Sequence, residues 1–313
     1  MLEGNFKFEG MWLKGNLHTH TKNSPCGHYD IEKVIDMYTS YNMEYDFLAI
    51  TDHYMCTSLA EYINDNKIIL FQGAEYKDRD LQSLGINIQY YDDDKFDLDN
   101  HQQLFNSVEA QGGFNIICHP HVYNDDYWPL EKLKNLDNYI GLEIFNNNIK
   151  HDNKGRAVAT DLWDKLLSCG KRVYGFANDD MHVFPRAGGA YNMVFAKNRS
   201  RSAILESIKK GSFYCTSGVL IDKIDIQDDV ITVAANKLPV EFRFIGKDGQ
   251  VYHQGTGMEK SYKIKGNEGY IRVELIREDG ARAWMQPIFL NRTKYNKVVE
   301  VRKTYAKKNK KFS

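Results

Sequence analysis

Short apolar runs alternate with longer stretches of helical spacing over the first two thirds of the chain. The runs typical of strands are residues 16–19, 47–51, 68–72, 86–90, 114–118, 140–145, 173–177 and 192–196. The stretches typical of helices are residues 31–41, 101–111, 160–169 and 202–210, and a glycine follows each of the last three. Strands that alternate with helices predict parallel pairing and an α/β fold.

The pattern changes near Thr216. From there to Asn291 no helical spacing is evident, and short alternating runs occupy residues 223–226, 230–234, 240–245, 261–264 and 270–276. Polar turn sequences such as Lys247-Asp248-Gly249 separate these runs. We therefore predict an α/β unit over residues 1–215, a small all-β, sandwich-like unit over 216–292 and a basic tail over 293–313. Trp284 is expected to pack in a core of this assembly.

Composition narrows the class of protein. The 313 residues carry a formal net charge of -1, which is atypical of a nucleic-acid coat or a membrane-surface protein. The five cysteines are scattered without a CxxC pair, which favours reduced thiols, and no apolar run approaches the ~20 residues that span a bilayer. A cytoplasmic protein is expected. Cys118 and Cys169 read as buried small hydrophobes.

Polar residues at the ends of the apolar strands indicate the chemistry. The five sequences concerned are His18-Thr19-His20, Thr51-Asp52-His53, Gly73-Ala74-Glu75, His119-Pro120-His121 and Asp179-Asp180-Met181-His182. The carboxyl ends of parallel barrel strands converge on one face, where active sites form. Histidine and carboxylate together are ligands for Zn, Mn or Fe. The sequence therefore predicts a metal centre at this face.

The spacing of these residues supports metal binding. Residues i and i+2 of a strand point to the same side, so His18 and His20 can bind one ion, as can Asp180 and His182. Glu75 can bridge two ions. Taken singly, each motif is more often an ordinary surface or core feature, and Asp52 could simply cap a helix. Five such strand ends together favour the metal site.

At these residues the sequence resembles the PHP family, named for polymerase and histidinol phosphatase. The matching motifs are His18-Thr19-His20-Thr21, Ile50-Thr51-Asp52-His53, Gly73-Ala74-Glu75, Cys118-His119-Pro120 and Asp180-Met181-His182. The resemblance implies a distorted seven-stranded β/α barrel, TIM-like in form, with one to three divalent ions, commonly Zn, Mn or Fe. It extends to the β-domain that one bacterial branch appends.

The resemblance also implies roles for individual residues. His18, His20, Glu75 and Asp180 would bind a first ion, Glu75 and His119 a second, and His53 and His182 a third. Asp180, Glu75 and His182 are the expected catalytic residues. Two departures from the family pattern stand out. Cys26, with His28 nearby, occupies a position where the family often has Asp or His, and residues 84–87 lack the histidine often found on the fourth strand.

The predicted activity is hydrolysis of a phosphomonoester or phosphodiester by metal-activated water. The substrate would be a small phosphorylated compound or a short oligonucleotide, and neither a membrane nor an obligate protein partner is inferred. Arg186 or Lys154 could offset phosphoryl charge, although each more often would be a solvated loop residue. Two alternatives remain open: an amidohydrolase-type metal hydrolase, and a non-catalytic metal-binding module.

Overall fold

The computed structural model describes residues 9–62, 67–78, 81–91 and 101–290. Its first nine strands are β1 Met11–Asn16, β2 Phe47–Ile50, β3 Ile69–Asp78, β4 Leu81–Ile86, β5 Phe114–Ile117, β6 Tyr139–Asn146, β7 Tyr174–Asn178, β8 Tyr191–Ala196 and β9 Phe213–Thr216. The helices are α1 Ile31–Thr39, α2 His101–Ala110, α3 Leu130–Asn135, α4 Asn147–Asp152, α5 Thr160–Ser168 and α6 Arg201–Lys209. The predicted mixed α/β fold is confirmed for this part of the chain.

These strands form one sheet in the order β9-β8-β1-β2-β3-β4-β5-β6-β7. Four of its pairs are parallel: β1 with β2, β2 with β3, β5 with β6, and β6 with β7. The predicted parallel pairing holds for these four pairs, whereas β4 is antiparallel to β3 and β5, and β8 is antiparallel to β1 and β9. Only two residues separate β3 from β4, and a connection that short can only reverse the chain.

The strand predicted at residues 86–90 was displaced. The structure places β4 at Leu81–Ile86, and Asn87 follows it with a positive φ of 61° that ends the strand. The apolar side chains of Ile86 and Ile88 are both buried, which explains why the sequence pattern continued past the true end. Cys118 is buried as expected, whereas the same prediction for Cys169 was wrong, since that residue is exposed.

One edge of β7 faces β8 and the residues after β16, and among the described strands no backbone ladder is formed along that edge. Side-chain amides make the contacts there instead. Asn192 of β8 accepts a hydrogen bond from the Ala177 N–H (3.2 Å) and donates one to the Ala177 carbonyl (3.0 Å). Gln286 does the same at Gly175, at 2.9 and 2.7 Å. Asn16 accepts from the Asp179 N–H at 3.0 Å. We call this line of contacts, between β7 on one side and β1, β8 and Gln286 after β16 on the other, the seam.

The remaining described strands are β10 Ile221–Gln227, β11 Val230–Ala235, β12 Val240–Ile245, β13 Val251–Gly257, β14 Glu259–Lys263, β15 Tyr270–Ile276, β16 Arg282–Met285 and β17 Ile288–Phe289. The large sheet continues past β9 as β16-β15-β12-β13, and β10-β11-β14 form a second sheet. Apolar residues of both sheets, including Ile231, Val233, Phe242 and Val273, make one buried cluster. The predicted all-β character is therefore present after residue 216.

The division of the chain between residues 215 and 216 stays a prediction, because β9 pairs with β8 on one side and β16 on the other. Residues 291–292 and the basic tail over 293–313 lie outside the described residues. Trp284 is fully buried and stacks on Phe145 at 5.6 Å between ring centroids, as expected for a core residue. In the described part of the chain, no helix has both the length and the apolar character needed to cross a membrane.

Candidate metal centre

The seven predicted ligands come from five strands and lie together at one end of the sheet. His18 and His20 follow β1, His53 follows β2, and His119 follows β5. Asp180 and His182 follow β7. Glu75 lies within β3, which runs on to Asp78 and does not end at Glu75 as the sequence suggested. The structure thus brings together all seven residues, which are His18, His20, His53, Glu75, His119, Asp180 and His182.

Four of these side chains point their ligand atoms at a common centre. His18 Nε2 lies 3.1 Å from His20 Nε2, 3.3 Å from Glu75 Oε2 and 3.2 Å from Asp180 Oδ1. His20 Nε2 lies 3.3 and 3.2 Å from the same two oxygens. In a tetrahedron with edges of this length, the centre lies about 2.0 Å from each corner, which is the Zn–N and Zn–O distance in proteins. The donor set therefore fits a tetrahedral divalent ion.

Hydrogen bonds fix which histidine nitrogen faces that centre. His18 Nδ1 lies 2.8 Å from Glu143 Oε1, a carboxylate that can only accept when ionised, so Nδ1 donates. Ser24 Oγ donates to Asp52 at 2.7 Å and accepts the His53 N–H at 3.0 Å. The remaining partner of that hydroxyl, His20 Nδ1 at 3.0 Å, must then donate. Both Nε2 atoms are left for a proton or a metal ion.

Two buried carboxylates outside the ligand set hold the ligands in place. Asp52 accepts hydrogen bonds from Thr21, Ser24 and Thr57, which settles its role as a loop anchor in place of a helix cap. Glu143 accepts from His18, the His119 N–H, Asn146 and Asn178. Sequence reasoning missed Glu143. A carboxylate amid the apolar residues 140–145 was the available signal, because a charge there must be paired inside the fold.

Glu75 presents its two carboxylate oxygens to two different groups of ligands. Oε2 faces His18, His20 and His53 Nδ1, the last at 3.2 Å. Oε1 faces His119 Nε2 at 3.2 Å. The donor atoms of Glu75, Cys118 and His119 lie within 4.8 Å of one another. Glu75 is thus placed between two candidate sites.

Backbone strain marks two of the ligands. His119 has a φ of 22° and Asp180 a φ of 51°, both in the left-handed region that residues other than glycine seldom adopt. Such strain persists only where the surrounding structure fixes it, and it concentrates at functional sites. The fixed contacts here are the Glu143 hydrogen bond to the His119 N–H and the seam contacts beside Asp180.

The charges of the centre are held by mutual pairing. Burial opposes ionisation of Glu75, but His18, His119 and His20 bring its pKa well below the usual value. Burial likewise opposes ionisation of Asp180, and His18 and His182 lower its pKa. Burial lowers the pKa of His18, yet Asp180, Glu143 and Glu75 outweigh it and raise that pKa well above normal. Protonated His18 thus compensates the two ionised carboxylates, a role that a divalent ion bound to the same atoms would take over.

One solved structure shares this architecture. A two-domain protein from Bacteroides vulgatus ATCC 8482, described as containing a predicted PHP-like metal-dependent phosphoesterase, is 17% identical to this chain with a TM-score of 0.53. The match covers 88% of this chain and 95% of that protein. The chain has a PHP-like fold. The resemblance inferred from the strand-end motifs is confirmed at the level of the fold.

Two further matches are more distant. PfuEndoQ, a lesion-specific endonuclease from Pyrococcus furiosus, is 13% identical with a TM-score of 0.44, over 64% of this chain and 56% of that one. PsfC from Pseudomonas syringae PB-5123 is 13% identical with a TM-score of 0.42, over 63% of this chain and 87% of that one. No family model and no curated protein matches the sequence.

The first departure from the PHP family pattern, at Cys26, can now be placed in space. The donor atoms of His20, Cys26, His53 and His182 lie within 4.8 Å of one another. The His20 ring stacks between those of His53 and His182, at 4.6 and 4.3 Å between centroids. His28 belongs to none of the candidate groups found among the described residues. Of the two side chains proposed to complete the third group, the structure thus brings in Cys26.

A cleft of about 170 Å³ opens beside the centre of this PHP-like fold. Its wall includes ligands from both sides of the centre, and Gln82, Tyr123 and Lys154 are among the other residues that line it. Lys154 Nζ lies 3.6 Å from Asp152, whose other oxygen pairs with Arg186 at 2.5 Å. Arg186 also donates to Asn148, and the Asn148 amide donates to Asp180 at 3.4 Å. Lys154 therefore faces the cleft, while Arg186 acts on the centre through Asn148.

Proposed function

We propose that this protein is a metal-dependent phosphoesterase. The observation that carries the proposal is the tetrahedral group of His18, His20, Glu75 and Asp180. Five of its six edges measure 3.1 to 3.3 Å, and Asp180 Oδ1 is buried without a hydrogen bond. A buried carboxylate oxygen that has no hydrogen bond, yet lies about 3.2 Å from other potential metal ligands, is expected at a metal-binding site.

We assign the ligands as follows. The tetrahedral group holds the first ion, Glu75 and His119 hold a second, and Cys26, His53 and His182 hold a third. Nitrogen and oxygen donors suit Zn, Mn or Fe, and a cysteine ligand favours Zn for the third site because thiolate is soft. The convergence of the strand ends supports a distorted seven-stranded barrel in which the seam joins β7 to β1.

The chemistry expected of the ions is Lewis acidity, which polarises a phosphoryl oxygen and lowers the pKa of water toward neutrality. The chain itself performs the remaining tasks. Lys154 lines the cleft, where it can bind a phosphoryl oxygen. Gln82 of β4 also lines the cleft and offers a side-chain amide. Asp180, Glu75 and His182 are the proposed catalytic residues, since all three line the cleft in which a substrate would bind. The ionised state of both carboxylates keeps them acceptors throughout.

The test combines metal analysis with a substrate series. Purified protein loaded with Zn or Mn should hydrolyse p-nitrophenyl phosphate or its diester, and short oligonucleotides should be included as candidate substrates. His20→Ala and Asp180→Ala should each lose metal and at least ~100-fold in kcat/KM, whereas His28→Ala, outside every candidate group, should not. Full activity in both ligand variants would refute the assignment. Amide or lactone hydrolysis without phosphoester hydrolysis would indicate an amidohydrolase.

A further inference from the structure

The second group of ligands is incomplete if only Glu75 and His119 contribute to it. Glu75 Oε1 and His119 Nε2 lie 3.2 Å apart, which supplies two donors. The strand next to Glu75 supplies none at the same level, because the residue paired with Glu75 across β3 and β4 is Leu84. Two ligands rarely hold a divalent ion, so a third donor is expected nearby.

Cys118 is in position to be that donor. It directly precedes His119, and its N–H is held by the Gln82 carbonyl of β4 at 3.2 Å. Its sulfur lies within 4.8 Å of the donor atoms of Glu75 and His119, and its side chain is fully buried. The thiol also lies within 4.8 Å of His18 and Glu143. Each group contains a carboxylate and a histidine, which together with cysteine are the residue types that bind divalent transition metals.

The competing interpretation treats Cys118 as a small apolar residue. Cys118 does belong to a buried apolar cluster that includes Leu84 and Ile116. Packing alone does not require a sulfur atom beside these metal-binding side chains, since alanine or valine fills such space without a polar atom. Cys118 therefore belongs both to an apolar cluster and to the groups of metal-binding side chains, and its sulfur is available to the second group.

We propose that Cys118 is a thiolate ligand of the second ion, together with Glu75 and His119. The inference rests on the proposed metal centre. Three protein ligands leave a fourth position open, as in catalytic and unlike structural zinc sites. A thiolate makes the second site softer than the first, so it should prefer Zn to Mn, whereas the N/O ligands of the first site accept either.

Cobalt substitution tests this ligand directly. Cys26 is removed first, because it lies in the third group and could give the same signal. Protein carrying Cys26→Ser and loaded with two equivalents of Co²⁺ should show a near-ultraviolet thiolate-to-cobalt charge-transfer band. The band should vanish in the double variant Cys26→Ser, Cys118→Ser. It should persist in the double variant Cys26→Ser, Cys169→Ser, since Cys169 is exposed and belongs to none of the candidate groups. A band that survives Cys118→Ser, or bound cobalt without a band in Cys26→Ser, would overturn the proposal.

A second measurement needs no change at Cys118. X-ray absorption at the zinc edge of the Cys26→Ser protein should reveal a sulfur neighbour at about 2.3 Å. A coordination shell of nitrogen and oxygen alone, in protein with two zinc ions bound, would refute the assignment of Cys118 as a ligand. The two proposals fail separately. Phosphoester hydrolysis without a sulfur signal leaves the phosphoesterase and removes Cys118, while a sulfur signal without hydrolysis keeps the ligand and removes the proposed activity.

Discussion

Glu143 accepts four hydrogen bonds at the base of the metal centre, and one of them orients His18. Replacing it with glutamine places an amide NH₂ where one of those donors now points. We expect Glu143→Gln to weaken metal binding by ~10–100-fold, the usual cost of losing a carboxylate that orients a histidine ligand. Competition with a chromogenic chelator measures the affinity. Glu109→Gln, on the exposed face of α2, serves as control. Equal affinities in the two variants would show that Glu143 has no part in binding.

His101 gives a prediction for stability as a function of pH. Burial, and then Lys132, lowers its pKa to about 3, and it packs edge-on against Trp128 at 4.8 Å. A histidine in the unfolded chain has a pKa near 6.5. The contribution of neutral His101 to the free energy of unfolding is therefore fully present above that pH and is lost as the pH falls toward 3. Between pH 7 and 5, wild type should lose up to about 2 kcal/mol relative to His101→Gln.

Urea unfolding at pH 7, 6 and 5 measures this difference. His28→Gln is the control, because His28 is exposed and the variant should keep the pH dependence of wild type. If His101→Gln and wild type lose stability in parallel, the buried histidine is not the origin of the effect.

The sequence identified the ligands better than the residues that support them. His18, His20, Glu75 and Asp180 were predictable because few residue types bind metals and strand ends converge. Ser24 and Glu143 were not, since their roles depend on which donors the folded chain brings within 3 Å. Cys118 was predicted to be a buried apolar residue from its residue type alone. Its proximity to Glu75 could not be predicted, because the two residues are far apart in the sequence.

At the scale of elements, the seam is maintained by individual side chains. Gln286, just after β16, satisfies both backbone groups of Gly175 on β7. Gln286→Leu leaves a buried N–H and C=O without partners and should cost about 2–5 kcal/mol. Gln286→Glu keeps the acceptor but loses the donor, and should also be destabilising. Chemical denaturation gives the values, with the exposed Gln250→Leu as control. Stability equal to that of wild type would mean that water replaces the amide.

The direction of β4 shows where element prediction failed. Alternation of strands and helices gave the right class, yet a hairpin with two connecting residues carries no helix to mark it. The apolar run through Ile88 then displaced the predicted strand along the chain. Pairing partners, unlike apolar periodicity, are set by contacts distant in sequence, as the seam contacts between Gln286 and Gly175 illustrate.

At the scale of the whole molecule, the β-unit is bound to the α/β part by a buried ion pair. Asp164 of α5 accepts from Arg272 of β15 at 2.8 and 2.6 Å and from the Tyr270 hydroxyl at 2.7 Å. Trp284 and Gln286 add contacts on β6 and β7. The two parts share a sheet through β9 and β16.

We therefore expect a chain ended after Ser217 to be poorly soluble, although it retains every proposed ligand. It would lose the partner strand of β9 and uncover apolar residues such as Trp12 and Met193, which pack on the β-unit core. Soluble yield and size-exclusion chromatography measure the outcome. A soluble, monomeric and fully active shortened chain would establish the β-unit as an independent module.

The seam also couples metal occupancy to local opening. His18 and His20 follow β1 while Asp180 follows β7, so the first ion would cross-link two segments that are otherwise joined by side chains and by a backbone hydrogen bond from the His20 N–H to the Met181 carbonyl at 3.0 Å. By linkage, each tenfold rise in free metal above its Kd should make separation of the strands harder by about 1.4 kcal/mol. The Ala177 amide, which donates to the Asn192 side chain, reports on this event through deuterium exchange. Its exchange should slow as metal is added, while exchange in β11, remote from the seam, stays constant.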